Sequence, residues 1–172
     1  MSKKHMSPLQ RHQGDGPLEF DAFRIVCLLG QGSYGWVYKG IQKGLDREVA
    51  IKVLRSQASS DQNIKRFRSE ASNYTKLGNN PNTPSVYAFG TFEVDGHEYH
   101  YMATQFINGI TLKDYIYQKI DEGKSSKVPF TGLDPHETAN IMMQILSSLA
   151  AAHELPLVCL LYTSPSPRDR YG

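Results

Sequence analysis

Apolar residues first gather into short runs near Phe20, after a polar stretch that we expect to form a flexible leader over residues 1–19. Five runs rich in β-branched and aromatic residues follow, each bounded by turn residues, and they predict five β-strands. Asp95 and Gly96 predict a tight antiparallel hairpin, because both residue types tolerate positive φ. The predicted strands are Phe23–Leu29, Trp36–Ile41, Glu48–Leu54, Val86–Glu93 and His97–Phe106.

Between the third and fourth strands the spacing of apolar residues changes and predicts a helix over Asp61–Leu77. Apolar residues recur there at intervals of three and four, which places them in one stripe along a helix. Glu70 lies at the edge of this stripe, so its carboxylate can point towards the sheet. The stripe consists of Ile64, Phe67, Ala71 and Tyr74.

Two further helices are predicted after the last strand. A short one runs from about Thr111 to Tyr117, and the charged stretch Asp121–Lys127 is expected to be a loop. A longer one begins at Asp134, with a proline in the next position and Glu137 three residues after the cap, and ends near residue 154. Its expected core face consists of Met142, Ile145, Leu146 and Leu149.

The composition is that of a globular domain, with 172 residues, 40% hydrophobic and 21% charged, and a net charge of +2. Because no block of like charge stands out, no nucleic-acid partner is expected. No run approaches the roughly 18 apolar residues of a membrane segment. Cys27 and Cys159 make no disulfide framework, and His97 and His100 point to opposite faces of a strand, so no metal site is expected. We expect a cytoplasmic location, although a longer protein could carry a membrane anchor after this segment.

A glycine-rich motif, GxGxxG, occupies the link between the first two strands, at residues 30–35. Dinucleotide-binding proteins also use this motif, but there the third glycine opens a helix. Here the third glycine, Gly35, is followed by Trp36 and Val37 in a strand-like run. A glycine loop between antiparallel strands is typical of a flap over the phosphates of a nucleotide, so a dinucleotide-binding protein is the weaker alternative.

Further motifs follow in order, and together they resemble the eukaryotic-like protein kinases, of the serine/threonine type found in bacteria. Val37 completes the pattern GxGxxGxV, Val49–Lys52 reads VAIK, and Phe67–Glu70 is similar to the family's αC segment. The resemblance implies an α+β kinase fold, with a five-stranded antiparallel sheet and the αC helix in an N-lobe. The first helices, αD and αE, of a truncated helical C-lobe follow. The implied domains are the leader, an N-lobe and hinge at 20–107, and the start of a C-lobe at 108–158.

The resemblance also implies a role for each residue of an ATP site. Lys52 would contact the α and β phosphates while ion-paired to Glu70, and alternation along the strand independently puts Ala50 and Lys52 on one face. Backbone groups of the glycine loop would form the rest of the phosphate cradle. The loop residues are Gly30, Gln31, Gly32, Ser33, Tyr34 and Gly35.

At the adenine end, the resemblance implies a pocket lined by apolar side chains and a hinge that offers backbone hydrogen bonds. Thr104 would be the gatekeeper, Gln105 and Ile107 would bond the base through their backbones, and Thr111 would lie near the ribose. The lining residues would be Leu29, Val37 and Ala50.

ATP and Mg²⁺ are the implied cofactors and a protein the implied substrate, but the catalytic loop expected to start at position 159 is missing. Cys159–Asp169 instead matches the translation of a transposase adapter used in sequencing libraries, so residues 159–172 are expected to be an artefact. The metal ligands would lie in the lost portion, and the chain as written is expected to be inactive. A pseudokinase or a nucleotide-binding scaffold module is the remaining alternative.

Overall fold

The computed structural model describes residues 7–14, 16–32, 34–55, 60–78, 80–125 and 132–154, with no side chains for 123–125. Six antiparallel strands form one sheet in the order β1-β2-β3-β4-β6-β5. The elements are α1 (Pro8–Arg11), β1 (Glu19–Phe20), β2 (Phe23–Gln31), β3 (Gly35–Gln42), β4 (Arg47–Leu54), α2 (Asp61–Leu77), β5 (Val86–Val94), β6 (His97–Gln105), α3 (Leu112–Ser125) and α4 (Pro135–Glu154).

The five predicted strands are all present as β2–β6, and the helix predicted over Asp61–Leu77 has those bounds. Asp95 and Gly96 have φ of 52° and 69°, as the predicted hairpin requires. The sheet nevertheless has six strands rather than five, because β1 pairs with the start of β2. Asp21, at φ 43°, allows the tight turn between them, since aspartate tolerates the left-handed region better than most residues.

The larger hydrophobic core covers one face of the sheet, which we call the outer face. Alternation along β4 puts Val49, Ile51 and Val53 on this face, all three fully buried. Aromatic side chains from the other strands surround them and supply most of the buried apolar area. These are Phe20, Phe23, Trp36, Tyr38, Phe92, Tyr99 and Tyr101.

The described part of the leader lies against the outer face and is not the expected flexible segment. Ser7 caps α1, where its hydroxyl accepts from the backbone N–H of Gln10 and the Gln10 side chain accepts from the Ser7 N–H. Leu18 and Arg11 are 4% and 6% exposed. Burial raises the pKa of Tyr99, and the neighbouring Arg11 guanidinium acts in the opposite direction. The sequence prediction failed because a single helical turn is too short to show periodicity.

The opposite face of the sheet, which we call the inner face, receives α2. The predicted apolar stripe of α2 contacts this face: Phe67 and Ala71 are buried against Leu54 of β4 and Met102 of β6. The Ser60 hydroxyl accepts from the backbone N–H of residue 63 and so caps the first turn of α2. This packing fixes the rotation of α2 about its axis, and with it the direction in which Glu70 points.

The chain divides into two compact units, the first comprising Met1–Gly78 and Pro84–Gly109 and the second Asn79–Thr83 and the chain from Ile110 onward. In the second unit, α3 reaches Ser125, so the loop predicted to begin at Asp121 is wrong for the first residues of that stretch. An ion pair between Lys119 and Glu122, at 3.3 Å, is one i,i+3 contact that supports these additional turns.

The long helix α4 starts as predicted, because Asp134 Oδ1 accepts from the backbone N–H groups of His136 and Glu137 and so caps its first turn. Asn80 donates its side-chain amide to the carbonyl of Ser147 at 3.2 Å, which ties the segment 80–83 to α4 within the second unit. The predicted core face of α4 is wrong for this chain: no described residue of α4 is buried. Met142, Ile145 and Leu146 are 46%, 41% and 55% exposed.

Candidate functional site

The first feature of the site is an ion pair that joins β4 to α2. Lys52 Nζ lies 2.6 Å from Glu70 Oε1 and 2.8 Å from Oε2, so one ammonium bonds both carboxylate oxygens. The two side chains are 34% and 32% exposed, so neither is sealed from solvent. The same ammonium lies 5.6 Å from the ring centroid of Phe67, within the range of a cation–π contact. Lys52 is therefore held in one direction and still reachable by a ligand.

Glu70 owes its position to the burial of its neighbours on α2. Phe67, one turn earlier, is buried and packs on Phe89 with ring centroids 5.5 Å apart. Tyr74, one turn later, is partly buried; burial raises the pKa of its phenol, and the charge of Glu70 raises it further. With both flanking turns anchored to the sheet, the carboxylate between them faces β4.

Strand pairing puts more of the predicted residues on the inner face beside Lys52. Val37 of β3 pairs with Lys52, and Ala50 of β4 pairs with Thr104 of β6. Directly paired residues of antiparallel strands project to the same side of a sheet. Ala50 and Lys52, two positions apart, share that side as well. The Thr104 hydroxyl donates to the Ala50 carbonyl at 3.4 Å, which holds the side chain against β4.

The glycine loop closes between the end of β2 and the start of β3. The Gly32 N–H donates to the Gly35 carbonyl at 2.9 Å, and the Arg55 N–H donates to the Tyr34 carbonyl at 3.0 Å. Tyr34 is 61% exposed at the tip. Ser33, also predicted to bind, lies outside the described residues.

The three glycines of the motif differ in whether the fold could accept a side chain at their position. A Cβ on Gly35 would lie 1.9 Å from the carbonyl oxygen of Val53, so this residue permits close approach of β3 to β4. A Cβ on Gly30 or Gly32 would meet no described atom within 4 Å. Neither has positive φ, so nothing in the described structure itself requires glycine at these two positions.

Leu29 sits at an irregularity in β2. Leu28 pairs with Tyr38 and Gly30 with Val37, so the register leaves Leu29 as an extra residue, as in a β-bulge. Its side chain is 47% exposed. Gln31, the last residue of β2, is exposed as well.

Of the predicted hinge and ribose residues besides Thr104, Gln105 ends β6, Ile107 follows two residues later, and Thr111 belongs to the second unit. The backbone N–H of Gln105 donates to the Ser85 carbonyl at 2.8 Å. Ile107 is 64% exposed. Thr111 caps α3: its hydroxyl accepts from the Asp114 N–H at 3.1 Å and donates to the Asp114 carboxylate at 2.6 Å. Thr111 therefore has a structural task that sequence reasoning missed, although a threonine three residues before an aspartate signals it.

No group of three or more His, Cys, Asp or Glu side chains suited to a metal ion occurs in the described part of the chain. Among the same residues, no helix has the length and apolar character required to cross a bilayer.

Comparison with known proteins decides the family. Residues 23–159 match the family described as the protein kinase domain. The chain belongs to the protein kinase family. Its sheet and α2 are those of the kinase N-lobe, and α3 and α4 are the first helices of a truncated C-lobe. Residues 159–172, predicted to be adapter-derived, lie outside the described residues, and the match does not test that prediction.

Two curated relatives of this kinase chain are bacterial enzymes named as serine/threonine-protein kinases. It is 36% identical over 137 residues to serine/threonine-protein kinase PrkC of Bacillus subtilis (79% of this chain, 19% of the relative). It is 35% identical over 140 residues to the probable serine/threonine-protein kinase PknB of Lactococcus lactis (80% and 20%). The chain therefore spans about a fifth of the length of these relatives. A solved structure, the Mycobacterium tuberculosis PknI kinase domain, matches with a TM-score of 0.60 and 25% identity, covering 83% of this chain and 53% of that one.

Proposed function

We propose that this chain is the ATP-binding portion of a protein serine/threonine kinase, which transfers the γ-phosphoryl group of ATP to hydroxyl groups of a protein. The observation that carries the proposal is the ion pair between Lys52 and Glu70 on the inner face. A lysine paired to a carboxylate stays charged and directed, and at about one-third exposure it can still contact a phosphate.

The glycine loop supports the phosphate end of this proposal. Gly30 and Gly32 face open space, and glycine is not needed there for packing or backbone conformation. The close approach of a phosphate group to the loop would explain why these two positions are glycine, because a Cβ would occupy the space that the phosphate needs. Gly30 pairs with Val37, which in turn pairs with Lys52, so loop and ammonium are neighbours across two strands.

The hinge supports the base end. Because the Gln105 N–H already donates to Ser85, a bond from Gln105 to a base would use its carbonyl as acceptor. Adenine offers an amino donor next to a ring-nitrogen acceptor. The Gln105 carbonyl and the N–H of Ile107 would match that pair, with Val37, Ala50 and Thr104 beside the ring.

The metal-dependent part of the reaction lies beyond this chain in our proposal. Mg²⁺ would neutralise the phosphate charge in the complete kinase, and we expect its carboxylate and amide ligands in the catalytic portion that follows this segment. The chain's own residues would bind and orient the nucleotide, and we expect the chain by itself to transfer no phosphate efficiently.

The test compares ATP and adenosine binding to the 172-residue chain by calorimetry. Lys52→Met should weaken ATP binding by about tenfold or more, because a charge-assisted contact to phosphate is lost, and leave adenosine binding within about twofold. Lys43→Met is the matched control, since Lys43 lies in the turn between β3 and β4 and forms an ion pair with Glu19 of β1 at 2.9 Å, outside the site. Equal losses of ATP and adenosine in Lys52→Met would contradict the assigned role, and absence of ATP binding in the unaltered chain would contradict the proposal.

A further inference from the structure

A second lysine of the inner face, Lys39, contacts the hinge. Lys39 pairs with Ala50 across β3 and β4, so it lies on the same face as Lys52. Its ammonium lies 4.6 Å from the ring centroid of Phe106, the residue that follows β6. The same ammonium lies 2.5 Å from Glu48 Oε1. One cation is thus shared by a carboxylate of β4 and an aromatic ring of the hinge.

The geometry fixes this contact from both sides. Val49 pairs with Gln105, the last residue of β6. Glu48 and Phe106 are the next residues beyond this pair, one on each chain segment. The Lys39 side chain is only 26% exposed, so little water separates it from the ring. A cation within about 6 Å of a ring centroid is attracted to the face of the ring, and partial burial strengthens that attraction.

We propose that Lys39 is a positioning residue for the nucleotide, acting through Phe106 on the hinge backbone. This inference rests on the proposed function, because it concerns the same ATP site. Gln105 and Ile107 flank Phe106, and their backbone groups are the ones proposed to bond adenine. Holding the Phe106 ring restrains the peptide units on both sides of it. Lys39 itself touches neither base nor phosphate in this role, and the site loses base discrimination when the restraint is removed.

Base discrimination provides the test, measured as the ratio of the Kd for GTP to the Kd for ATP on the 172-residue chain. Lys39→Met keeps the length of the side chain and removes its charge, and it should lower this ratio by about fivefold. Adenosine binding should weaken by a similar factor, because the hinge contacts the base. Lys39→Arg, which retains a cation able to stack on the ring, should restore both values to within about twofold.

Three further results separate the explanations. Lys43→Met removes an ammonium that is paired with Glu19 of β1 and should leave the ratio unchanged, and Lys52→Met should weaken ATP and GTP binding equally. Loss of ATP binding in Lys39→Met with unchanged adenosine binding would overturn the inference, because Lys39 would then act on the phosphates. An unchanged ratio in a Lys39→Met chain with wild-type circular dichroism would also overturn it while leaving the proposed function intact. If the unaltered chain bound neither nucleotide, the proposed function and this role would fail together.

Discussion

At the scale of single residues, the glycines of the loop separate into two kinds. Gly35→Ala should lower the free energy of unfolding by about 2 kcal/mol, because its Cβ would overlap the Val53 carbonyl and force β3 away from β4. The measurement is urea unfolding followed by circular dichroism. Backbone atoms cannot rotate aside, so the strain has no cheap relief.

Gly32→Ala is the matched comparison. It should change the free energy of unfolding by less than about 0.5 kcal/mol, since no described atom lies within 4 Å of its added methyl group and its φ is not positive. It should nevertheless weaken ATP binding, if phosphate occupies that space. Equal destabilisation by the two substitutions would show that the loop geometry described above is wrong.

The sequence alone identified these glycines, but it could not show which of them is required for strand packing and which is available for ligand binding. The motif gives residue type and spacing, whereas the role of Gly35 depends on how closely the backbone of β4 approaches it at Val53, eighteen residues later. Lys52 and Glu70 were more predictable, because strand alternation and helix periodicity both bear on where they point. Their ion pair is present; their role in nucleotide binding stays a prediction.

At the scale of elements, the short strand β1 joins the leader to the outer core. Phe20 stacks on Phe92 with ring centroids 3.9 Å apart and an interplanar angle of 11°. Phe20→Ala should lower the free energy of unfolding of the N-lobe by about 3 kcal/mol, through lost burial and the cavity left behind. Thermal or urea unfolding monitored by tryptophan fluorescence would report it, since Trp36 lies in the same core.

Leu9→Ala is the control for the leader, because Leu9 lies on α1 with 36% exposure. Its effect should stay within about 0.5 kcal/mol. If Phe20→Ala were no more destabilising than Leu9→Ala, β1 would not belong to the outer core. Sequence patterns found the long elements because each has its own periodicity; β1 and α1 are too short to show one, and only tertiary contact stabilises them.

At the scale of the whole molecule, four tyrosines make the N-lobe sensitive to alkali. Burial raises the pKa of Tyr38, Tyr74, Tyr99 and Tyr101, and for Tyr101 a hydrogen bond to Asp21 at 2.7 Å raises it further. A raised pKa means that the folded chain holds these protons more tightly than the unfolded chain. The stabilisation that these four groups give the folded chain is therefore complete below about pH 10, the pKa of tyrosine in the unfolded chain. It is lost as the pH rises above that value.

Tyr101→Phe should make the loss of stability between about pH 9 and pH 11 smaller, because one of the four raised groups is removed. At neutral pH the same substitution should cost about 1–2 kcal/mol, since the hydrogen bond to Asp21 is lost. Unfolding midpoints at several pH values measure both effects. An unchanged slope in Tyr101→Phe would contradict the assignment.

The irregular register of β2 has a mechanical consequence for the glycine loop. β3 and β4 pair along their whole length without a register shift, beginning with Gly35 opposite Leu54. By contrast, the register between β2 and β3 shifts twice within a few residues. The two arms of the loop therefore differ in compliance. We expect a ligand that pushes on the loop to bend the β2 arm more than the β3 arm, as in a flap hinged along one side.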